Sequence, residues 1–444
     1  MRFLELFIII GVVTPALLSL FFIFHFGINT VYWDEWGIIP TLKSYLTGQP
    51  WIQNLFVQSN ENHPVFPHLI ILGLAYFTSY NTFYEMLVGW AFLSFTIYIL
   101  WRLLLQTFPQ GKWIIIPLAW QTYSFLQLAT FLMGSASIAW YLAILMTILA
   151  IYFLNIKNST ISIIAAIVCG FIASFSIIVG LLVWFIGLLS FRENFRWKFF
   201  TLFVISGVIA FALYFYGWSD RVLNHTPAFT NNPTGFLNFV MAFLGNVAKI
   251  PPHEFVSQLS FSIYVGISMS VIFIVVTLLY HHFQIVRKNN QNARPWLQIA
   301  IFGILSSIMA AAGRLEFFGQ GEALSSRYVP LSNFFLDGTL VITLMVLFYL
   351  KQIANTQRNI NIMKCSIVFL LILVSFEVSV GYVYGWIAGS FLHNMFATGT
   401  SCLLTFESAS DDCLQILYPD AKNLREQAKF LQEFCLGPFA SKCK

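Results

Sequence analysis

The sequence predicts an all-α polytopic membrane protein with about 11 transmembrane helices. Three observations carry this. Of 444 residues, 58% are apolar and 9% are charged, against about 25% charged in soluble domains. The apolar residues fall into runs near the roughly 20 residues that cross a hydrocarbon core. The cations gather at alternate connections between those runs. Forty-eight Phe and 13 Trp exceed what one water-soluble core hides. A soluble enzyme, a disordered chain and a nucleic-acid binder are excluded.

Run length places the spans at about 6–28, 83–105, 113–133, 136–155, 159–176, 178–191, 199–218, 259–283, 296–313, 330–350 and 366–387. The two within 159–191 are short, and one span plus a re-entrant piece is the alternative there. With the N-terminus in the cytoplasm, the inner ends carry Arg2, Arg102, Lys112, Lys157, Arg192, Arg196, Lys198, Arg287, Lys288, Arg294, Lys351, Arg358 and Lys364. Every short connection on that side holds a cation, as the positive-inside rule requires. Only Glu5 and Glu193 are acidic there, so sixteen of 18 acids fall outside or within spans. An odd number of spans puts the C-terminus outside. The first apolar stretch lacks a small-residue cleavage site and reads as a retained anchor.

Residues 1–387 form the expected transmembrane domain, with outer loops at about 29–82, 219–258 and 314–329, and 388–444 form an outer tail. No internal repeat is visible, which disfavours inverted-repeat transporters. No phosphate-cradling glycine motif and no zinc-spaced Cys/His cluster occurs. The tail holds Cys402, Cys413, Cys435 and Cys443. In an oxidising compartment these staple a small domain through two disulfides, in any of three connectivities. Cys169 and Cys365 lie in or beside spans and read as packing residues.

The first outer loop opens with Tyr32-Trp33-Asp34-Glu35-Trp36, just beyond the first span. An aromatic belt explains the rings but not two adjacent acids. Then come Asn60-Glu61-Asn62-His63-Pro64 and an apolar stretch of about 14 residues ending near Tyr80. That stretch is too short to span and reads as a helix lying along the outer surface.

Together, the Asp34-Glu35 pair outside the first span, the surface helix opened by His63-Pro64, a short turn and a span ending in Arg102 resemble the GT-C class of membrane glycosyltransferases. The match covers about residues 1–108, and the remainder in topology. Here Val65 follows His63-Pro64, where related enzymes often carry a second Pro. Length, Phe-rich composition and the Cys-bearing tail resemble bacterial, phage-encoded, serotype-converting O-antigen glucosyltransferases. The resemblance implies a bacterial inner-membrane enzyme with a periplasmic active site. Its donor would be a polyprenyl-phosphate-linked hexose, glucose by that resemblance. Its acceptor would be a sugar hydroxyl on lipid-linked O-antigen or a similar glycan, attacked with inversion. It also implies a carrier-loading glycosyltransferase and a small flippase as helpers.

Such a transfer needs a base for the acceptor hydroxyl and a carboxylate near the developing oxocarbenium ion. Asp34 is the first candidate and Glu35 the second. The other acid then orients the base, binds the acceptor or holds a divalent ion. Alternatively, both acids are solvated loop residues. The departing phosphate needs cations, and Arg fits its geometry. Arg327 and Arg314, in the Gly-rich third loop beside Tyr328, are the candidates. Pairing with Glu316 and Glu322 is their structural alternative. Glu61 and His63 are further candidates for substrate contact, although a His before Pro also caps helices. Trp33 and Trp36 are placed to stack on a sugar.

Asp337 and Glu377 are intramembrane acids, functional by default or paired with neighbours. Gln121 and Gln127 read as interhelical glue. His225 and His253 are weaker candidates, and Lys249 reads as a contact to lipid phosphate. The rival classes are a glycolipid flippase or transporter and a non-catalytic membrane scaffold. Ionisable residues nearly confined to the outer ends favour an enzyme working on one face.

Overall fold

A long apolar segment has no better partner for its backbone amides than its own carbonyls, so each run closes into a helix. The computed structural model describes residues 2–156, 159–192, 196–218, 228–249, 255–282, 292–354 and 356–442. Helix α1 (Arg2–Phe26) leads into a loop holding α2 (Ile39–Leu46) and α3 (Val65–Thr78). Next come α4 (Thr82–Thr107), α5 (Ile115–Thr122), α6 (Leu128–Leu132), α7 (Gly134–Ile156), α8 (Thr160–Ser174), α9 (Val183–Leu188) and α10 (Trp197–Phe215). The short α11 (Ala228–Asn231) and α12 (Pro233–Leu244) precede α13 (Phe255–His282), α14 (Arg294–Phe318), α15 (Val329–Ile353) and α16 (Gln357–Leu404). The tail adds α17 (Asp411–Gln415) and α18 (Ala421–Glu433). Among the described residues there is no strand, only an isolated bridge between Ser59 and Asn62.

Among the described residues eight helices are long and apolar enough to cross a membrane: α1, α4, α7, α10, α13, α14, α15 and α16, the last including its extension. The protein is therefore a helical membrane protein. Three expected spans are not continuous helices of that length. Segment 113–133 breaks at Tyr123, where the Ser124 hydroxyl accepts from the Leu126 amide at 3.4 Å and caps a new turn. Segments 159–176 and 178–191 are the 15-residue α8 and a set of short turns around α9. Between them Gly180 packs so closely that a Cβ would lie 2.0 Å from the Ala173 carbonyl oxygen. Only glycine permits that reversal.

Hydrogen bonds define two ends of the bundle. At one end Trp296 donates to Thr107 at 2.8 Å, Gln352 to Gln110 at 3.3 Å and Asn155 to Gln298 at 2.7 Å. Lys112 pairs there with Glu5 at 3.8 Å. At the other end the Ser135 amide donates to Glu35 at 2.9 Å, the Ile178 amide to Asn62 at 2.9 Å and the Ala129 amide to Ser326 at 3.4 Å.

Helix α16 overruns the expected boundary at 388. It continues to Leu404, 48 residues in all, or about 72 Å at 1.5 Å per residue. That exceeds a 30 Å hydrocarbon core more than twofold, so one part projects beyond it and bears the tail. The tail packs on the first loop rather than standing alone. Trp36, Tyr80, Leu403, Leu417, Leu424 and Phe430 share one buried cluster. The Trp33 amide donates to Leu417 at 2.9 Å and the Gly437 amide to Ser79 at 2.8 Å. Cys402 is bridged to Cys413. Cys435 is also disulfide-bonded, and Cys443 lies outside the described residues. Cys169 and Cys365 are free thiols.

Candidate functional site

The Trp33–Ile38 segment is a tight 3-10 turn entered with Trp33 in the left-handed region, at φ 47°. A 3-10 turn sends neighbouring side chains about 120° apart, and this separates the two acids. Glu35 turns inward and is 1% exposed. Its two oxygens accept the Tyr32 amide at 2.8 Å and the Ser135 amide at 2.9 Å. Burial pushes its carboxyl up to about 7, against the Ser135, Tyr32 and Gly134 amides and with help from Asp34. Asp34 turns outward and accepts from Asn60 at 3.1 Å. Glu35 therefore pins the turn of Asp34 to the start of α7. Among the described residues no group of three or more His, Cys, Asp or Glu is placed to hold a metal.

Asp34 and Glu35 line a cavity of about 620 Å³ together with Trp33, Asn60, Arg314 and Arg327. Residues hundreds of positions apart thus share one chamber. Part of its wall is apolar, from Pro64, Pro67, Ile71, Leu128, Met133 and Leu392. A smaller chamber of about 170 Å³ adjoins it. Asp34, Asn62, Trp140, Ile177, Arg314 and Arg327 line both and form the waist between them.

Each arginine is held by an acid. Arg327 donates to Glu322 at 2.6 Å and to Ser325 at 3.2 Å, and lies 5.7 Å from the Tyr328 ring. Arg314 pairs with Glu61 and lies 5.4 Å from the Phe318 ring. Glu316, expected as its partner, instead accepts from Asn231 at 3.0 Å. Residues two apart on a helix point to different faces, so Glu316 cannot reach where Arg314 points.

Other expected contacts fall elsewhere. Trp36 is fully buried beneath the tail, 6.4 Å from Tyr418, and lines neither chamber. His63 is buried too, its Nδ1 at 3.0 Å from the Phe56 carbonyl and its ring 5.0 Å from Tyr214. Lys249 is half-buried, donates to Asn246 and is pushed down to about 8 by desolvation. Gln127 accepts from Tyr141 at 3.1 Å as an interhelical tie, whereas at Gln121 it is the backbone carbonyl, not the side chain, that accepts from Asn333 at 2.7 Å. Asp337 and Glu377 sit within α15 and α16, away from the linings of both chambers. His225 and His253 lie outside the described residues.

The structure adds residues that the sequence did not single out. Trp140 stands at the waist, and Trp218 lines the smaller chamber. His68 lines the larger one, and burial holds it down to about 4, so it is neutral at ordinary pH. Each sits in an apolar stretch and carries no signal beyond its type. No family model and no curated relative matches the chain.

Proposed function

We propose that this chain is an inverting glycosyltransferase of GT-C architecture. It moves a hexose, glucose by resemblance, from a polyprenyl-phosphate carrier to a sugar hydroxyl of lipid-linked O-antigen or a similar surface glycan. In this reading the chain crosses the bacterial inner membrane eleven times, with the N-terminus cytoplasmic and the tail periplasmic. Disulfide-bonded tail cysteines fit an oxidising periplasm. A carrier-loading enzyme and a small flippase would supply the donor.

One observation carries the reading: an exposed carboxylate and two guanidinium groups meet in one chamber with an apolar flank. The apolar wall suits the first isoprene units. The phosphate sits at Arg327 and Arg314, which exchange part of their hold on Glu322 and Glu61 for it. Bidentate charge-assisted bonds make that exchange favourable. Asp34 accepts the proton of the acceptor hydroxyl as its oxygen bonds to the anomeric carbon. The bond to the phosphate oxygen breaks on the opposite face, and its electron pair leaves with the phosphate. Glu35 acts through backbone amides and holds the turn.

The test is transfer of radiolabelled hexose by purified protein from polyprenyl-phosphate hexose to lipid-linked glycan. Transfer by the wild type and none by Asp34→Asn supports the reading. Movement of the intact donor across vesicles without transfer would instead make the chain a flippase.

A further inference from the structure

The smaller chamber has a composition of its own. Trp140, Trp218 and Tyr328 bring three aromatic rings to about 170 Å³, alongside Glu61, Asn62 and Arg314. The volume admits a pyranose ring. It is also unlike the larger chamber, whose apolar wall suits hydrocarbon.

Aromatic faces with a few fixed polar groups recognise pyranoses well. The rings offer flat apolar surface to the sugar's C–H face. Planar carboxylate, amide and guanidinium groups take pairs of neighbouring hydroxyls. Here those groups are held before any ligand arrives. Glu61 is fixed from two sides: its carboxylate pairs with Arg314, and its carbonyl accepts from the Tyr214 hydroxyl at 2.7 Å. Asn62 is fixed by the Ile178 amide at 2.9 Å and by the bridge to Ser59. Trp218 is wedged against Tyr214 at 5.7 Å and His63 at 5.8 Å. This also gives His63 a place: it backs the wall of the chamber without facing a ligand. Preorganised sites of this kind bind with little ordering cost.

We propose that the smaller chamber is the hexopyranose subsite, holding the donor's sugar while its phosphate lies at the waist, with Trp218 and Glu61 as specificity-determining residues. This rests on the transferase reading. It goes further in separating where the sugar is read from where the phosphate is held. The larger chamber is left to the prenyl chain, and the acceptor meets the anomeric carbon on the face opposite the phosphate. A waist bearing both Asp34 and the arginines then puts the anomeric carbon where base and leaving group meet.

The test needs no turnover. Purified protein in detergent is titrated with glucose, galactose, mannose and N-acetylglucosamine, and saturation-transfer NMR reads binding. Polyprenyl phosphate without sugar is titrated in parallel. At least one hexose should bind saturably to the wild type. Its signal should fall at least tenfold in Trp218→Ala and Glu61→Gln and be largely kept in Trp218→Phe, with polyprenyl-phosphate binding within twofold of wild type in the two Trp218 variants. No saturable hexose binding to the wild type overturns the proposal. So does unchanged hexose binding in folded Trp218→Ala, or an equal loss of hexose and polyprenyl phosphate. Failure of the transferase reading looks different: hexose binding would persist while no polyprenyl-phosphate hexose is consumed. If the subsite belongs to the acceptor instead, Trp218→Ala raises KM for the glycan and leaves KM for the lipid donor unchanged, which also overturns the assignment.

Discussion

Replacing Glu35 by Gln should remove a pH dependence of stability that the wild type carries. Glu35 is 1% exposed, and burial displaces its carboxyl from 4.5 to about 7. At about 1.4 kcal/mol per pH unit, that displacement amounts to about 3 kcal/mol. The sign follows from linkage. The folded-state value lies above the unfolded one, so the native state holds this proton more tightly. The stabilisation is complete below about 4.5 and is lost as pH rises through about 7. Glu35→Gln is neutral throughout and lacks this loss. It has its own cost: a carboxamide offers one oxygen to two amides, so the Tyr32 or Ser135 amide loses its acceptor. That costs about 1–3 kcal/mol, independent of pH. Thermal unfolding of purified protein in detergent, at about pH 5 and about pH 8, reads both effects. The wild type should lose about 3 kcal/mol more than the variant between the two conditions. Equal losses in both proteins would refute the reasoning, because the burial of Glu35 would then carry no proton linkage.

Asp34→Asn should keep wild-type stability, since Asp34 is exposed, and lose about 10²–10⁴-fold in transfer rate, read as kcat. Arg327→Ala should raise KM for the lipid donor by about tenfold to a hundredfold, the worth of one charge-assisted bond, with unfolding nearly unchanged; a fall in yield alone would make its bond to Glu322 purely structural. Trp36→Ala should destabilise by about 3–5 kcal/mol through an empty core site, without changing KM of the protein that remains folded. Converting Cys402 and Cys413 to Ser should destabilise the tail by about 2–3 kcal/mol for so short a loop, seen as faster limited proteolysis after Leu404.

Much of the scaffold is legible because apolar run length is a local property. The eight long helices fall where the runs are. The breaks at Ser124 and Gly180 are not legible, because a cap and a close backbone approach depend on what packs alongside. The same limit separates the site residues. Asp34, Arg314 and Arg327 stand out as charges in an apolar chain, and all three line the larger chamber. Trp33 and Trp36 look alike in sequence, yet one faces the chamber and the other lies under a tail nearly 400 residues later. Asp34 and Glu35 are neighbours whose fates differ only because a 3-10 turn parts them. Glu61 could be suspected, but not as the partner of Arg314, since that pairing depends on how α14 meets the first loop. Trp140, Trp218 and His68 are silent because apolar surroundings make them look like packing.

The central claim is that the Arg314 and Arg327 guanidinium groups hold one lipid phosphate in the same chamber where the Asp34 carboxylate takes the acceptor's proton. A structure determined with polyprenyl phosphate bound tests it most directly. The account predicts the phosphate within hydrogen-bond reach of both arginines at the waist, beside Asp34, with the prenyl chain along Pro67, Ile71 and Leu392. A phosphate seated at the opposite end, near Arg102 and Lys112, would contradict it.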